Sequence, residues 1–327
     1  MILVTGASGI VGSQVVRALV NDLKKVRTTK RRRSDTSWTD DINHKVEWIE
    51  ADLLDLYALE KAFEGVTHVV HCAAVVSFDN NNDDYMHKVN IEGTKNILTL
   101  CQEFNIQKLV YISSVAALGR PSKAETISEE TKWEPSNLNT AYANSKYLAE
   151  LEVWRAQEEG LPTAILNPSV IIGPGNWNSS SLNLFKHVKK GSSLYPVGGL
   201  NYVDVRDVAV ITKNLLFNNI QGERYILNAG LISYKTFFEL VAKGLNKKAP
   251  SFKINPALAT FVASILRIVR FLTGFKTSIT KEAVKLSQLN VLFSAKKIEI
   301  DFKYQFKSVE ESISWTCKQL ENKQLDP

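Results

Sequence analysis

The chain has 327 residues, with 40 Lys plus Arg against 34 Asp plus Glu, a net charge of +6 and a pI near 9.0. With 44% hydrophobic and 23% charged residues it has the make-up of a globular enzyme, long enough for one large core or two modest ones. Three scattered cysteines (Cys72, Cys101, Cys317) argue against a disulfide framework or a metal site and fit a reducing, cytoplasmic setting; no signal peptide pattern or bilayer-length apolar run is seen.

Taken in chain order, short apolar runs alternate with helical patterns. Ile2 to Val4 reads as a buried strand, Val11 to Leu23 as a helix and Lys25 to Thr29 as a second strand. Val46 to Glu50 is a third strand, Leu56 to Phe63 a helix and His68 to His71 a fourth strand. One long helix is expected over Tyr85 to Phe104, then a strand over Lys108 to Ser113. A helix over Asn139 to Glu159 closes at Gly160, and Thr163 to Leu166 is a sixth strand. Such alternation predicts an α/β fold, a doubly wound parallel sheet of Rossmann type with helices on both faces. Residues 173 to 200 are irregular, with one helix over Leu182 to Lys190. A strand over Tyr202 to Val205, a helix over Arg206 to Phe217 and a strand over Tyr225 to Leu227 return to the sheet pattern. From residue 229 the pattern is mainly helical. The expected division is a dinucleotide-binding domain over 1–168 with 201–228, and a smaller substrate domain over 169–200 and 229–327.

Thr5-Gly6-Ala7-Ser8-Gly9-Ile10-Val11-Gly12 joins the first strand to the first helix. Gly6 permits a tight turn, Gly9 admits a pyrophosphate close to the backbone, and Gly12 lets helix and strand pack closely. The free N–H groups of the helix start complete an anion site. The spacing is G-x-x-G-x-x-G rather than the commoner G-x-G-x-x-G. The alternative is a glycine-rich turn with no ligand.

The second strand runs into Lys30, Arg31, Arg32 and Arg33, with no carboxylate before Asp35. An acidic residue there would bond the ribose hydroxyl of NAD; cations instead attract the 2′-phosphate of NADP. NADP is therefore the expected cofactor. A solvated basic loop is the plain alternative, and one such run without interleaved aromatics does not suggest nucleic acid. Asp52, with Leu53 behind it, follows the third strand; it either accepts from the adenine amino group or caps a helix.

Tyr142 and Lys146 lie four apart on one helix, so they share a face. A nearby ammonium would lower the phenol's pKa from about 10 and let it exchange a proton with a substrate oxygen. Ser113 and Ser114 end the fifth strand, where ligands of such sheets lie; either holds a substrate oxygen or caps the loop.

In order, TGASGIVG at 5–12, ADLLD at 51–55, HCAA at 71–74, VNIEGTKNIL at 89–98, YISSVAALG at 111–119, YANSK at 142–146, NPSVIIGPG at 167–175 and YVDVRDVA at 202–209 resemble the extended short-chain dehydrogenase/reductase family over essentially the whole chain. The resemblance implies Ser114, Tyr142 and Lys146 as the catalytic set, with Ser114 preferred over Ser113 for its distance from Gly119. It also implies cofactor contacts at Ala73 and Ala74 and a nicotinamide flanked by Pro168 to Val170. Asn90 matches a family asparagine near the active site, or makes a structural helix bond. Ser114-Val115-Ala116 departs from the Thr-Asp-Glu of sugar-nucleotide dehydratases. Leu166-Asn167-Pro168 looks like the aldehyde, cinnamoyl and dihydroflavonol reductase branch, whereas the C-terminal section looks like the hydroxysteroid dehydrogenase branch.

The expected function is reduction of a ketone or aldehyde, or oxidation of the matching alcohol, on a small-molecule substrate lying near Val76 to Phe78, Asn176 and Trp177. A nucleotide-sugar epimerase with tightly held NAD and a non-catalytic NADP-binding sensor are the competing readings. The family implies a homodimer. Ala257 to Phe275 reads as an apolar helix packed on the core; contact with a membrane surface is the sharper alternative.

Overall fold

The computed structural model describes residues 1–76, 83–120, 126–177, 181–254 and 291–323. The helix expected over 257–275 and the substrate wall at Phe78 lie outside them. The strands are β1 (Ile2–Thr5), β2 (Val26–Lys30), β3 (Val46–Glu50), β4 (His68–His71), β5 (Lys108–Ile112), β6 (Thr126–Ile127), β7 (Thr163–Pro168), β8 (Val170–Ile172), β9 (Leu194–Tyr195), β10 (Gly199–Asp204), β11 (Glu223–Leu227), β12 (Gly230–Ser233), β13 (Phe252–Lys253) and β14 (Leu292–Phe293). The helices are α1 (Ile10–Asn21), α2 (Leu56–Phe63), α3 (Asp83–His87), α4 (Gly93–Glu103), α5 (Ala141–Glu158), α6 (Leu182–Lys189), α7 (Val205–Phe217), α8 (Tyr234–Gly244), α9 (Lys296–Phe302) and α10 (Val309–Asn322).

Seven parallel strands form the central sheet in the order β11-β7-β5-β4-β1-β2-β3. The expected Rossmann-like sheet is thus present. Side chains alternate between its two faces, and both are covered. Val4, Val70 and Val110 meet Val15, Leu19, Val208 and Ile211 from α1 and α7 on one side. Leu3, Val69 and Leu109 meet Leu59, Ile97, Leu98 and Val153 from α2, α4 and α5 on the other. Burial on both faces is why these strands read as unbroken apolar runs. A third cluster, including Phe185, Phe237 and Ile313, joins α6, α8 and α10 to the smaller sheet β12-β10-β8.

Five of the described α-helices start after side-chain caps that satisfy otherwise unpaired N–H groups, each worth about 1 kcal/mol. Asp55 caps α2, Thr140 caps α5, Asp204 caps α7, Ser233 caps α8 and Ser308 caps α10. The cap of α2 is therefore Asp55 and not Asp52, which corrects one of the two readings of Asp52. α7 begins one residue before the expected Arg206, because Asp204 supplies the cap.

The single helix expected over Tyr85 to Phe104 is in fact α3, a π-helical turn over Lys88–Glu92, and α4. The wide turn swings Asn90 inward, where its carboxamide accepts from Val75 N at 2.7 Å and donates to Val75 O at 2.9 Å and Ser145 Oγ at 3.0 Å. Asn90 thus ties the segment after β4 to α5. The rest of the VNIEGTKNIL run has equally local reasons. A Cβ on Gly93 would come within 2.9 Å of Leu53 Cβ, and Asn96 Nδ2 donates to Leu53 O at 2.8 Å.

Candidate active site at the carboxyl ends of the strands

Between β1 and β4 the strand order reverses, and the chains leaving the two strands part to form a groove. Gly6, Ser8, Gly9, Lys30, Arg31, Asp52, Leu53, Ala73 and Ala74 all line it, together with Tyr85. Arg32 does not, although it is exposed beside it. Ile10 and Val11 form the first turn of α1 behind the glycines.

The three glycines of the turn answer to different demands. Gly6 has φ +72°, and a Cβ there would lie 2.7 Å from the backbone of Ala73. A Cβ on Gly12 would strike the Gly6 carbonyl. At Gly9 the only neighbour of an added Cβ among the described residues is Gly6 O at 3.3 Å, so that face of the turn is open to them. Gly9 precedes α1 without a side-chain cap, which leaves the first N–H groups of the helix for a ligand. A Cβ on Gly175 would strike Ile10 at 2.5 Å and one on Gly173 would strike Val205 at 2.4 Å, which explains the glycines of the NPSVIIGPG run.

Among the described residues no carboxylate pairs with Lys30, Arg31, Arg32 or Arg33. Lys30 Nζ lies 5.6 Å from the centre of the Trp48 ring, and Arg31 Nη1 donates to Tyr85 Oη at 3.2 Å. Asp52 uses one carboxylate oxygen on Leu54 N at 2.9 Å.

Beyond β5 the two serines part. Ser113 is buried and its Oγ donates to Glu150 Oε2 at 2.6 Å. Ser114 Oγ accepts from Ala116 N at 3.1 Å and acts on the Tyr142 phenol, whose pKa it lowers. Ser114 is the serine that meets the tyrosine.

Lys146 reaches the same region from below. It is 1% exposed, and its Nζ donates to Tyr111 Oη at 2.7 Å and Ile112 O at 3.0 Å. Burial pushes the Tyr142 phenol above its usual range, opposed by Ser114. Burial brings the Lys146 ammonium down to about 7, opposed by Glu150 and Cys72.

Pro168 and Val170 lie at the end of β7 and the start of β8, one strand past β5 and apart from the groove. Between them the buried Ser169 Oγ has no hydrogen-bond partner. The open side of the Gly9 turn, the uncapped N–H groups of α1 and this orphaned hydroxyl fit a dinucleotide running from the β2 end of the groove towards β7. Of the proposed substrate walls, Val76 is exposed; Asn176 Nδ2 instead donates to Asp35 Oδ2 at 3.3 Å. Trp177 is buried in the third cluster with Lys189 Nζ 4.7 Å from its ring centre, so it is core rather than wall.

Comparison with known proteins agrees with this geometry. A model of the NAD dependent epimerase/dehydratase family matches residues 2–230. The chain belongs to that family. It is therefore an enzyme of the extended short-chain dehydrogenase/reductase type, with a nicotinamide dinucleotide as the cofactor its groove suits. It is 30% identical over 304 residues to a Synechocystis sp. protein provisionally named dihydroflavonol 4-reductase, covering 90% of this chain and 87% of that one. It is 29% identical over 259 residues to cinnamoyl-CoA reductase 1 of Petunia hybrida, covering 74% and 77%. The crystal structure of gox2253 superposes with a TM-score of 0.84 at 30% identity, covering 99% of this chain and 98% of that one.

Four side chains behind this family member's site escape sequence reading. Tyr111 and Thr94 stand behind Lys146, and Glu150 and Asn167 behind the serines. The single available signal is that Glu150 lies four residues after Lys146, on the same helix face.

Among the described residues no group of His, Cys, Asp and Glu could hold a metal, and no helix is long and apolar enough to cross a membrane.

Proposed function

We propose that this chain is an NADP-dependent oxidoreductase that reduces a ketone or aldehyde, or oxidises the matching alcohol, with Ser114, Tyr142 and Lys146 as its catalytic residues. The placing of the Ser114 hydroxyl, at the end of the strand next to the groove, where it opposes the upward push of burial on the Tyr142 phenol, carries the reading. The names of the Synechocystis and Petunia relatives support reduction as the reaction class.

NADPH supplies the hydride when bound. Tyr142 gives its phenolic proton to the carbonyl oxygen as charge develops there; a phenol whose pKa is held high keeps that proton until it is needed. Ser114 Oγ already accepts a backbone N–H, which leaves its own proton to hold the substrate oxygen. Lys146 holds the nicotinamide ribose and, when charged, favours the tyrosinate left after proton transfer. Gly6, Ser8, Gly9, Ile10 and Val11 hold the pyrophosphate; Asp52, Leu53, Ala73 and Ala74 hold the adenosine; Pro168 and Val170 flank the nicotinamide. Lys30, Arg31 and Arg32 hold the 2′-phosphate, because they are cations free of carboxylate partners among the described residues.

The substrate is a small molecule. Leu148 and Leu151 are exposed on α5, which supports a homodimer built on that helix.

Parallel titration with NADPH and NADH, followed by a screen of carbonyl compounds and nucleotide sugars with the preferred cofactor, tests the reading. Preference for NADPH and net oxidation of it by a carbonyl compound is the expected result. Epimerisation of a nucleotide sugar without net redox change, on NAD that copurifies, would replace it.

A further inference from the structure

A chain of buried polar side chains runs behind Lys146, and its hydrogen-bond directions can be worked out from one end. Thr94 Oγ1 donates to the Asn90 carbonyl at 2.6 Å, so its one proton is committed. His71 Nε2, 3.2 Å from that oxygen, must therefore carry a proton and donate it. His71 is neutral, since burial and Lys146 hold its pKa at about 3. Its Nδ1 is then an acceptor, and Thr5 Oγ1 donates to it at 2.6 Å while itself accepting from Ala73 N at 3.3 Å. Tyr111 Oη accepts from Lys146 Nζ at 2.7 Å. The ring of Tyr111 is held in turn by stacking on His71, with centroids 5.5 Å apart.

We propose that Tyr111 is the positioning residue of Lys146, a hydroxyl on a ring held by stacking against His71 that keeps the lysine amine protonated and aimed beneath the cofactor groove. The inference rests on the reading of Lys146 as a catalytic residue, and it assigns a task to a side chain that touches neither substrate nor cofactor.

The surroundings of Lys146 leave its direct bonding to Tyr111 and one backbone carbonyl. Glu150, on the same helix, favours the ammonium through its charge, but its carboxylate oxygens are bonded to Ser113, Asn167 and Arg224 rather than to Lys146. Cys72, beyond β4, has its thiol pushed up to about 12 by burial and stays neutral at physiological pH. His71 on β4 is neutral, and burial pushes the Tyr142 phenol on α5 up, so it too carries no charge. The other acceptor of Lys146 is the Ile112 carbonyl at 3.0 Å. Burial alone drives the amine towards its neutral form, and a charged donor's bond to a hydroxyl acceptor opposes that.

The test is a pH titration of Lys146 in the full-length protein without cofactor, read from the side-chain 13Cε resonance of labelled lysine. The resonance is assigned by its disappearance in Lys146→Met. Tyr111→Phe is expected to move the midpoint down by about one pH unit, as loss of a bond to a charged group should. On a confirmed substrate the basic limb of kcat/KM should move down with it. Thr94→Val, which takes away the hydroxyl that holds His71 Nε2 and so loosens the ring on which Tyr111 stacks, should move the midpoint in the same direction by less, and it serves alone should Tyr111→Phe not fold. An unchanged midpoint in the folded variants would overturn the proposal. Failure of the wild type to bind NADPH or reduce any carbonyl would count against the functional reading instead, and the titration would still decide the role of Tyr111.

Discussion

Asn167 Nδ2 donates to Glu150 Oε2 at 2.8 Å, and the same amide nitrogen donates to the Ser114 carbonyl at 3.0 Å. A buried carboxylate on α5 thereby fixes the backbone of a serine at the end of β5. Glu150 also accepts from Ser113 and from Arg224, whose side chain is partly exposed. Glu150→Ala would leave those donors buried without an acceptor. Stability should fall by about 3 kcal/mol. Urea unfolding at neutral pH checks this, and a loss well under 1 kcal/mol would mean the network relaxes freely.

Tyr142→Phe removes the proposed proton donor and little else, since the ring keeps its packing. Turnover of a confirmed substrate should fall by roughly 10²- to 10⁴-fold, while NADPH affinity stays within about threefold. Steady-state kinetics beside a fluorescence titration separates the two quantities. A variant with undiminished kcat would remove Tyr142 from the mechanism.

Arg31→Ala should weaken NADPH binding by roughly 10- to 100-fold and leave NADH nearly untouched, because the lost cation meets only the 2′-phosphate. The salt dependence of NADPH binding should become shallower in the variant. Equal weakening towards both cofactors would assign Arg31 a structural role through Tyr85 instead.

The glycine turn separates folding from binding. Gly12→Ala drives a methyl group into the Gly6 carbonyl and should cost about 2 kcal/mol or more. Gly9→Ala meets only one atom of the described residues, at 3.3 Å, and should fold normally, yet lose roughly tenfold or more in cofactor affinity, because the methyl group stands where the pyrophosphate would approach. Thermal unfolding and cofactor titration of both variants check the contrast.

His71 gives the protein a defined acid sensitivity. Its pKa is about 3 in the folded state against 6.5 for an ordinary histidine. Between these values the unfolded chain binds a proton that the folded one refuses, so the stability due to neutral His71 is complete above about 6.5 and drains away as pH falls towards 3. From pH 6.5 to pH 5 the loss should be about 2 kcal/mol. Denaturant unfolding across that range, compared with His71→Phe, reads it: the variant should be less stable at neutral pH but flatter with pH.

The sheet and the cofactor groove were legible in the sequence, because each strand is a buried apolar run and each groove residue sits at a strand end. Nine of the proposed cofactor residues line one groove for that reason alone. The catalytic interior was less legible. Spacing placed Tyr142 and Lys146 on one helix face, but it could not show that Tyr111, 35 residues earlier, would bond the amine. Likewise the VNIEGTKNIL run looked like part of one regular helix, and only the turn at Lys88–Glu92 brings Asn90 and Thr94 to the buried network. Trp177 was misread because an aromatic beside Gly and Pro looks the same in sequence whether it lines a cleft or fills a core.

Deuterium transfer from NADPH labelled at C4 of the nicotinamide tests the central claim most directly. Incubated with a panel of ketones and aldehydes, the protein should yield an alcohol bearing one deuterium on its carbinol carbon, detected by mass spectrometry, and Tyr142→Phe should yield almost none. Labelled alcohol formed at the wild-type rate by that variant, or interconversion of a nucleotide sugar on bound NAD with no label in any alcohol, would contradict the account.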